Sequence, residues 1–393
     1  MVKPESDTGD VTMVFFGVAA YARENLKQAE GALFELAARY GNRSPDTYRM
    51  QLIDTDIPSS DVPLKGLKVE HLVIHGVRLD ALDGHHKLSK YPLVLLHGYM
   101  NGALYYYRNL VGLTNFFGTV YSLDFLGWGL SSRPAFTPLD NSVQAAENVF
   151  VESLEAWREA NKIERMVLAG HSMGGYLSVA YCERYPERVD RLILISPVGV
   201  PVDVNRETRK LSWGASLASF LFHWDFTPCS VVRSLPEGRG KGYVQQYVEQ
   251  RLPAIDDPEE QRALTNYLYY NMTSTASGEY AVQRLLSPFA FAKEPTIHRI
   301  PNLKIKNISF LYGETDWMDA SAGLQVKKRR NDVDVYLVPM AGHLLMLENY
   351  QDFEKAFCMA AGGAHQSGPT KLSGDADEDV TAANPPPQPL VGE

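Results

Sequence analysis

Apolar positions fall into short continuous runs separated by longer amphipathic stretches. From about Thr12 to Tyr40 the apolar residues Leu26, Ala29, Leu33, Leu36 and Tyr40 recur at steps of three and four, which predicts one face of a helix. Ser44 to Pro63 is polar, carries Pro58, Ser59, Ser60 and Pro63, and reads as a linker. Lys68 to Leu79 alternates as a strand does, and Gly84-His85-His86 supplies a turn. Leu93 to Leu96 is uninterrupted and apolar, as in a strand buried on both faces of a parallel sheet. Thr119–Leu123, Arg165–Ala169 and Arg191–Ile195 read as further strands, with a helix over Asn141–Asn161 and another behind Ser172. This order predicts an α/β architecture with a doubly wound, mainly parallel sheet.

The rhythm breaks between Val198 and Ile300, where helical stretches are thick with aromatics, and resumes with strands at Asn307–Tyr312 and Val333–Val338 and a helix over Leu344–Ala361. The pattern divides the chain into an N-terminal helix and linker over 1–63, a first core part over 64–197, an inserted helical cap over 198–300, a second core part over 301–361, and a disordered tail over 362–393. The tail is Gly, Ser, Asp and Pro rich and too polar to bury a core. An insertion between sheet strands sits over the strand ends, and a cap exposes some apolar wall to its substrate. Trp213, Phe220, Phe222 and Trp224 are the candidates for that wall, the other aromatics being core of the insertion.

Composition narrows the class. The 393 residues are 45% hydrophobic and 22% charged, as in an ordinary globular protein. Net charge is −9, of which five acids against Lys371 place −4 in the tail, so the body is only mildly acidic and no nucleic acid partner is expected. Cys182, Cys229 and Cys358 are widely spaced and form no C-x-x-C, which speaks against a zinc site or a disulfide framework. A reducing compartment fits them, pointing to an intracellular, cytoplasmic protein. The run Val11 to Ala20 is too short to span a bilayer. The helix behind it either packs on its own fold or follows an interfacial foot, Phe15-Phe16, placed on a lipid droplet, a mitochondrion or another membrane.

The chemistry centres on Met166 to Tyr181, MVLAGHSMGGYLSVAY. A strand runs into Gly170-His171-Ser172-Met173-Gly174 and a helix starts at once, so the turn lifts the Ser172 hydroxyl clear of the sheet. Met173 N–H, near the helix start, is a candidate oxyanion donor. Gly98, after Leu93–Leu96, lets the chain turn and aims Tyr99 N–H at the same place, completing a two-donor oxyanion hole. A serine needs a base, and the base needs an acid to hold its tautomer. His365 lies in the tail and His223 and His298 in the insertion, whereas His343 directly follows a sheet strand and is the candidate base. Asp316 follows the penultimate strand and is the candidate acid, with Asp319 second. Asp124, in the Asp124–Ser132 loop, reads as a structural residue that ties that loop down.

His97-Gly98, Asp124-x-x-Gly127-x-Gly129-x-Ser131, Gly170-x-Ser172-x-Gly174, Asp316 and His343 together resemble the α/β-hydrolase superfamily over roughly Lys68 to Ala361. More narrowly, Leu126–Pro134, the Tyr312–Asp319 run and the Leu26-Lys27-Gln28-Ala29-Glu30 helix resemble a subfamily. It holds a yeast cardiolipin-specific deacylase, lysophosphatidic acid acyltransferases and the lipid-droplet co-activator of a triglyceride lipase. That resemblance implies an α/β-hydrolase fold and a serine acyl hydrolase or acyltransferase on acyl esters of glycerophospholipids or lysophospholipids. It implies no metal and no cofactor, beyond acyl-CoA as donor for a transferase. The co-activator members carry asparagine where this chain has Ser172, which favours an enzyme. The acyltransferase members carry His-x4-Asp, where this chain has Glu348 after His343, and Glu348 on the first turns of a helix reads as a helix-dipole or surface carboxylate rather than a second catalytic acid. A lipid-surface adaptor and a soluble small-ester esterase remain the alternatives. The basic run Lys327-Lys328-Arg329-Arg330 reads either as a solvated helix end or as a contact for anionic headgroups.

Overall fold

The computed structural model describes residues 9–84, 87–202, 227–287, 291–365 and 368–373, with side chains from residue 21 onward. Leu93–Leu96 forms strand β3 with all four residues buried, because it lies between two parallel neighbours and both of its faces are covered. The sheet also contains β1 (Tyr48–Pro58), β2 (His71–Ala81), β4 (Thr119–Leu123), β5 (Met166–His171), β6 (Val189–Ile195), β7 (Ile308–Gly313), β8 (Val333–Val338) and β9 (Thr370–Lys371). Their order is β1-β2-β4-β3-β5-β6-β7-β8-β9. Pairings from β4 through β8 are parallel, while β1 on β2, β2 on β4 and β9 on β8 are antiparallel. The order reverses at β3, which sits between β4 and β5, so the crevice beyond its C-terminal end is the topological switch point where such sheets bind ligands.

Two sequence expectations are corrected here. Tyr48–Pro58, read as part of a linker, is an eleven-residue edge strand. Its side chains are mostly exposed or half-buried, so hydrophobic patterning gave no strand signal. Within the tail expected to be disordered, Thr370–Lys371 pairs with Tyr336 and Leu337 of β8, and Lys371 Nζ lies 2.9 Å from Asp334 Oδ1.

Among the described residues the helices are α1 (Gly9–Ala37), α2 (Leu110–Leu113), α3 (Val143–Ala160), α4 (Met173–Arg184), α5 (Pro228–Ser234), α6 (Glu237–Arg251), α7 (Pro258–Thr273), α8 (Ala281–Leu285), α9 (Ser321–Arg329), α10 (Leu345–Glu348) and α11 (Tyr350–Ala360). The predicted α1 stripe is buried at Leu26, Ala29, Leu33 and Leu36, and the helix packs on α7, which is the own-fold reading of that stripe. Each of Leu26 and Leu33, with no exposed surface, contributes about 1.5–3 kcal/mol by leaving water. Among the described residues no helix is long and apolar enough to cross a membrane. α5 to α8 lie between β6 and β7, while Trp213, Phe220, Phe222 and Trp224 fall outside the described residues.

The charges of the basic run are engaged locally. Lys327 Nζ lies 3.3 Å from Asp334, Arg330 pairs with Asp332 at 2.6 Å and donates to the Leu303 carbonyl, and Arg329 donates to the Ile297 carbonyl. That is a helix end tied to its own fold.

A buried carboxyl sits between α11 and α2. Glu354 Oε1 and Asn109 Oδ1 are both buried acceptors without a partner, and burial pushes the Glu354 carboxyl up to about 8. A proton on Glu354 removes a charge that burial disfavours, against the Asn109 side chain, which favours the ionised form. Because its folded value is raised above the usual 4.5, the stability it contributes is fully present below about pH 4.5 and is lost as pH rises through 8. Glu354→Gln keeps the neutral shape at every pH. Melting curves at pH 5, 7 and 9 are expected to show the variant gaining on the wild type as pH rises; a constant difference overturns the assignment.

Candidate active site

Ser172 is the residue between β5 and α4, with φ +52 and ψ −115. Few non-glycine residues hold such a backbone, and its strain is retained because neighbours pin it. Ser172 N–H donates to the Ile195 carbonyl at 2.9 Å, and the Ser172 carbonyl accepts from Val198 N–H at 3.2 Å, so the end of β6 holds the turn on both sides. The flanking glycines are required by close approach. A Cβ on Gly170 would stand 2.2 Å from the Gly174 carbonyl oxygen, and one on Gly174 would stand 2.6 Å from the His97 and Leu96 carbonyl oxygens.

The turn after β3 lies alongside. A Cβ on Gly98 would fall 3.2 Å from Ser172 Cβ. His97 stiffens this turn: Nδ1–H donates to the Gly98 carbonyl at 2.7 Å, and Nε2 accepts from Phe125 N–H at 3.0 Å. Burial pushes His97 below its ordinary value, consistent with that neutral tautomer. Asn271 of α7 reaches in and donates to the Met100 and Asn101 carbonyls at 3.1 and 2.9 Å, while its oxygen accepts from Gly129 N–H at 2.9 Å. Tyr99 packs edge-on against Trp128, with ring centroids 5.2 Å apart. Among the backbone hydrogen bonds of turns, loops and caps between described residues, none uses the N–H of Tyr99 or of Met173.

His343 follows β8, and its Nδ1 lies 3.2 Å from Asp316 Oδ1. The Asp316 side chain is 1% exposed and also accepts from Met318 N–H at 2.9 Å and from Ser196 Oγ. Three donors around one carboxylate fix its orientation toward the imidazole. With Nδ1–H donated to Asp316, His343 Nε2 carries a lone pair. The His343 ring packs between Trp317, with centroids 4.9 Å apart, and His171, at 4.8 Å. His171 Nε2–H donates to the His343 carbonyl at 2.9 Å, which sets the histidine loop against the residue preceding Ser172. Among the described contacts no hydrogen bond joins Ser172 Oγ to His343, so the structure pairs His343 with Asp316 and brings that pair beside the serine turn.

The rival candidates are elsewhere. Asp319 is exposed and accepts from Ser321 N–H and Ser321 Oγ at the start of α9. His298 and His365 are exposed, and His223 lies outside the described residues. Asp124 is fully buried and accepts from Ala103 N–H at 2.6 Å and Leu130 N–H at 2.7 Å, the loop-tying arrangement. Sequence reasoning missed Ser196, Asn271 and the anchoring of His343 by His171. The Ser196-Pro197 strand end and the histidine inside the serine motif were the available signals.

One cluster has the composition of a metal site. Glu30, His75 and Asp124 are buried, with one ligand atom from each lying within 4.8 Å of the others. Their atoms are committed, however. His75 Nε2 meets both Glu30 oxygens at 3.0–3.1 Å, its Nδ1 meets Asp54 at 2.6 Å, and both Asp124 oxygens carry backbone donors. The carboxylates outweigh desolvation and raise His75 to about 9, while burial raises the Glu30 carboxyl; with carboxylates at both ring nitrogens the imidazole is held charged and fastens α1 to β2.

Comparison with known proteins bears on this site. Over 300 residues the chain is 32% identical to a protein of Oryza sativa subsp. japonica named probable 1-acylglycerol-3-phosphate O-acyltransferase, covering 74% of this chain and 70% of that one. Over 245 residues it is 36% identical to a Mus musculus protein named (lyso)-N-acylphosphatidylethanolamine lipase, covering 61% of this chain and 70% of that one. A crystal structure of a membrane phospholipase A, described as a bacterial virulence factor, superposes with a TM-score of 0.57 at 19% identity, over 90% of this chain and 95% of that one, a likeness of fold. Residues 91–350 match the family described as the alpha/beta hydrolase fold. With its mainly parallel sheet, its strained serine turn and this match, the chain belongs to the alpha/beta hydrolase fold family.

Proposed function

We propose that this protein is a serine acyl hydrolase or acyltransferase acting on acyl esters of glycerophospholipids or lysophospholipids. The observation that carries the reading is His343 Nδ1 on buried Asp316, packed beside the strained Ser172 turn. Ser172 Oγ attacks the ester carbonyl carbon as its proton passes to His343 Nε2, and Asp316 stabilises the imidazolium. The N–H groups of Tyr99 and Met173 hold the oxyanion. The leaving alcohol takes the proton from His343, and an acyl-serine remains. Water or a lysophospholipid hydroxyl then gives its proton to His343 as it attacks the acyl carbon, and His343 returns that proton to Ser172 Oγ as the acyl–oxygen bond breaks.

The names of the relatives, an acyltransferase of lysophosphatidic acid type and a lipase of acylated phosphatidylethanolamine, support this substrate class. In this reading α5 to α8 form part of a cap, and Trp213, Phe220, Phe222 and Trp224 add apolar wall. Phe15-Phe16 in the first half of α1 makes a peripheral contact with a membrane or droplet surface. A transferase would draw its acyl group from acyl-CoA, and neither outcome calls on another cofactor.

The purified protein is expected to react with a fluorophosphonate probe. Incubation with labelled acyl-CoA and lysophosphatidic acid then separates the two outcomes by free fatty acid against acylated product. Absence of probe labelling in well-folded protein overturns the enzyme reading and leaves a lipid-surface adaptor; labelling with turnover confined to small soluble esters replaces the lipid substrate class.

A further inference from the structure

His343 sits on a short loop whose peptide groups are held one after another. Glu348, at the end of α10, reaches back past the start of its own helix. Its Oε2 accepts from Gly342 N–H at 2.6 Å and its Oε1 from Leu344 N–H at 2.9 Å, the donors on either side of His343. The carbonyl between them, that of His343 itself, accepts from His171 Nε2–H at 2.9 Å. Further out, Met340 N–H donates to Glu314 Oε2 at 3.1 Å and Asn349 Nδ2 donates to the Pro339 carbonyl at 2.8 Å. The backbone that carries the imidazole is therefore gripped on both sides and in the middle.

We propose that Glu348 and His171 are positioning residues that clamp the His343 loop, setting the imidazole between Asp316 and Ser172. The proposal rests on the serine-hydrolase reading and gives Glu348 no contact with substrate. A carboxylate suits the task because each oxygen takes one N–H, and hydrogen bonds to an ionised acceptor are roughly twice as strong as neutral ones. A glutamine offers one oxygen and presents its NH2 to the other N–H, so the grip on one side of His343 turns into a clash of donors. His171 suits its own task because it is fully buried. Burial holds it well below its ordinary value, so it stays neutral and keeps Nε2–H as a donor.

Ionisation enters as well. Burial raises the Glu348 carboxyl, and Asp316 adds to this, while the Gly342 and Leu344 N–H groups and His343 oppose it; Tyr105 and Tyr247 of α6 also face it. Protonating Glu348 removes one acceptor, so acid loosens the loop. The rate of the wild type is therefore expected to fall more steeply on the acid side than that of Glu348→Gln.

The test compares wild type, Glu348→Gln, Glu348→Asp and Glu348→Ala in fluorophosphonate labelling and in turnover of a lysophospholipid between pH 5 and 9. Displacing a reacting group by an ångström costs up to about 100-fold, so Glu348→Gln is expected to lower kcat about 10- to 100-fold with KM within about twofold. Glu348→Asp, which keeps the charge with a shorter reach, is expected to recover at least tenfold over Glu348→Ala at pH 8. Wild-type kcat and an unchanged acid limb in Glu348→Gln overturn the clamp, as does a Glu348→Asp variant no better than Glu348→Ala. If the wild type itself does not label, the hydrolase reading falls and not the clamp, so the two failures are distinguishable.

Discussion

Ser172→Ala is expected to abolish fluorophosphonate labelling and to lower turnover by about 10⁶-fold, the scale seen when a triad nucleophile is removed. The residual rate is expected to come from substrate binding and the proposed oxyanion donors, which the substitution leaves in place. Folding is expected to survive. Ser172 makes its structural contacts through its backbone, N–H to the Ile195 carbonyl and carbonyl to Val198 N–H, and alanine has the same Cβ in the same strained conformation. A melting temperature within about 2 °C of wild type, together with lost labelling, is the predicted combination, since deleting one hydroxyl away from buried partners costs about 0.5 kcal/mol or less. A variant that still labels at the wild-type rate removes Ser172 from the chemistry.

The second large effect falls on stability. Glu260 of α7 is 2% exposed and is the hub of a buried cluster that joins the inserted helices to the body. Both its oxygens take a guanidinium bond from Arg108, at 2.7 and 2.9 Å, and the hydroxyls of Tyr40 and Tyr107 also donate to it. Arg108 in turn holds the Leu347 carbonyl at 2.9 Å, one residue from Glu348, so the cluster connects the end of α1, the segment after β3 and the loop beyond β8. Glu260→Ala leaves Arg108 charged and buried with no counter-ion, a loss of about 3–5 kcal/mol. In a chain of this size that lowers the melting temperature by about 4–7 °C. The double variant Arg108→Met, Glu260→Leu is expected to recover most of the loss, because the penalty lies in the unpaired charge rather than in the absence of the pair. Thermal melts of the three proteins decide it: equal melting temperatures for wild type and Glu260→Ala overturn the role of the cluster.

Several site features were readable before any coordinates. The short apolar strands, Gly170 and Gly174 around Ser172, and His343 directly behind a strand each carry a local signal, because tight turns and doubly buried strands constrain residue type at fixed spacing. Asp316 could be ranked above Asp319 from its distance to the strand end alone, and it is Asp316 that meets His343. Tyr48–Pro58 was not readable as a strand, since an edge strand with mostly exposed or half-buried side chains has no apolar alternation to show. Thr370–Lys371 is too short and too exposed to differ from tail. Ser196, Asn271 and His171 act through partners far away in the chain, and a polar residue does not announce in sequence which distant group it will meet.

By itself the sequence determined the strand-turn-helix around Ser172, the run of buried parallel strands and the placing of Asp316 and His343 behind strand ends, because each depends on neighbours in the chain. Only the tertiary structure decided that Glu348 grips the loop of His343 through N–H groups on either side, that His75 is an ion-paired fastening for α1, and that Glu260 locks the inserted helices to the core. Those outcomes depend on desolvation and on angles between groups that only packing brings together, and residue type along the chain does not encode either one locally.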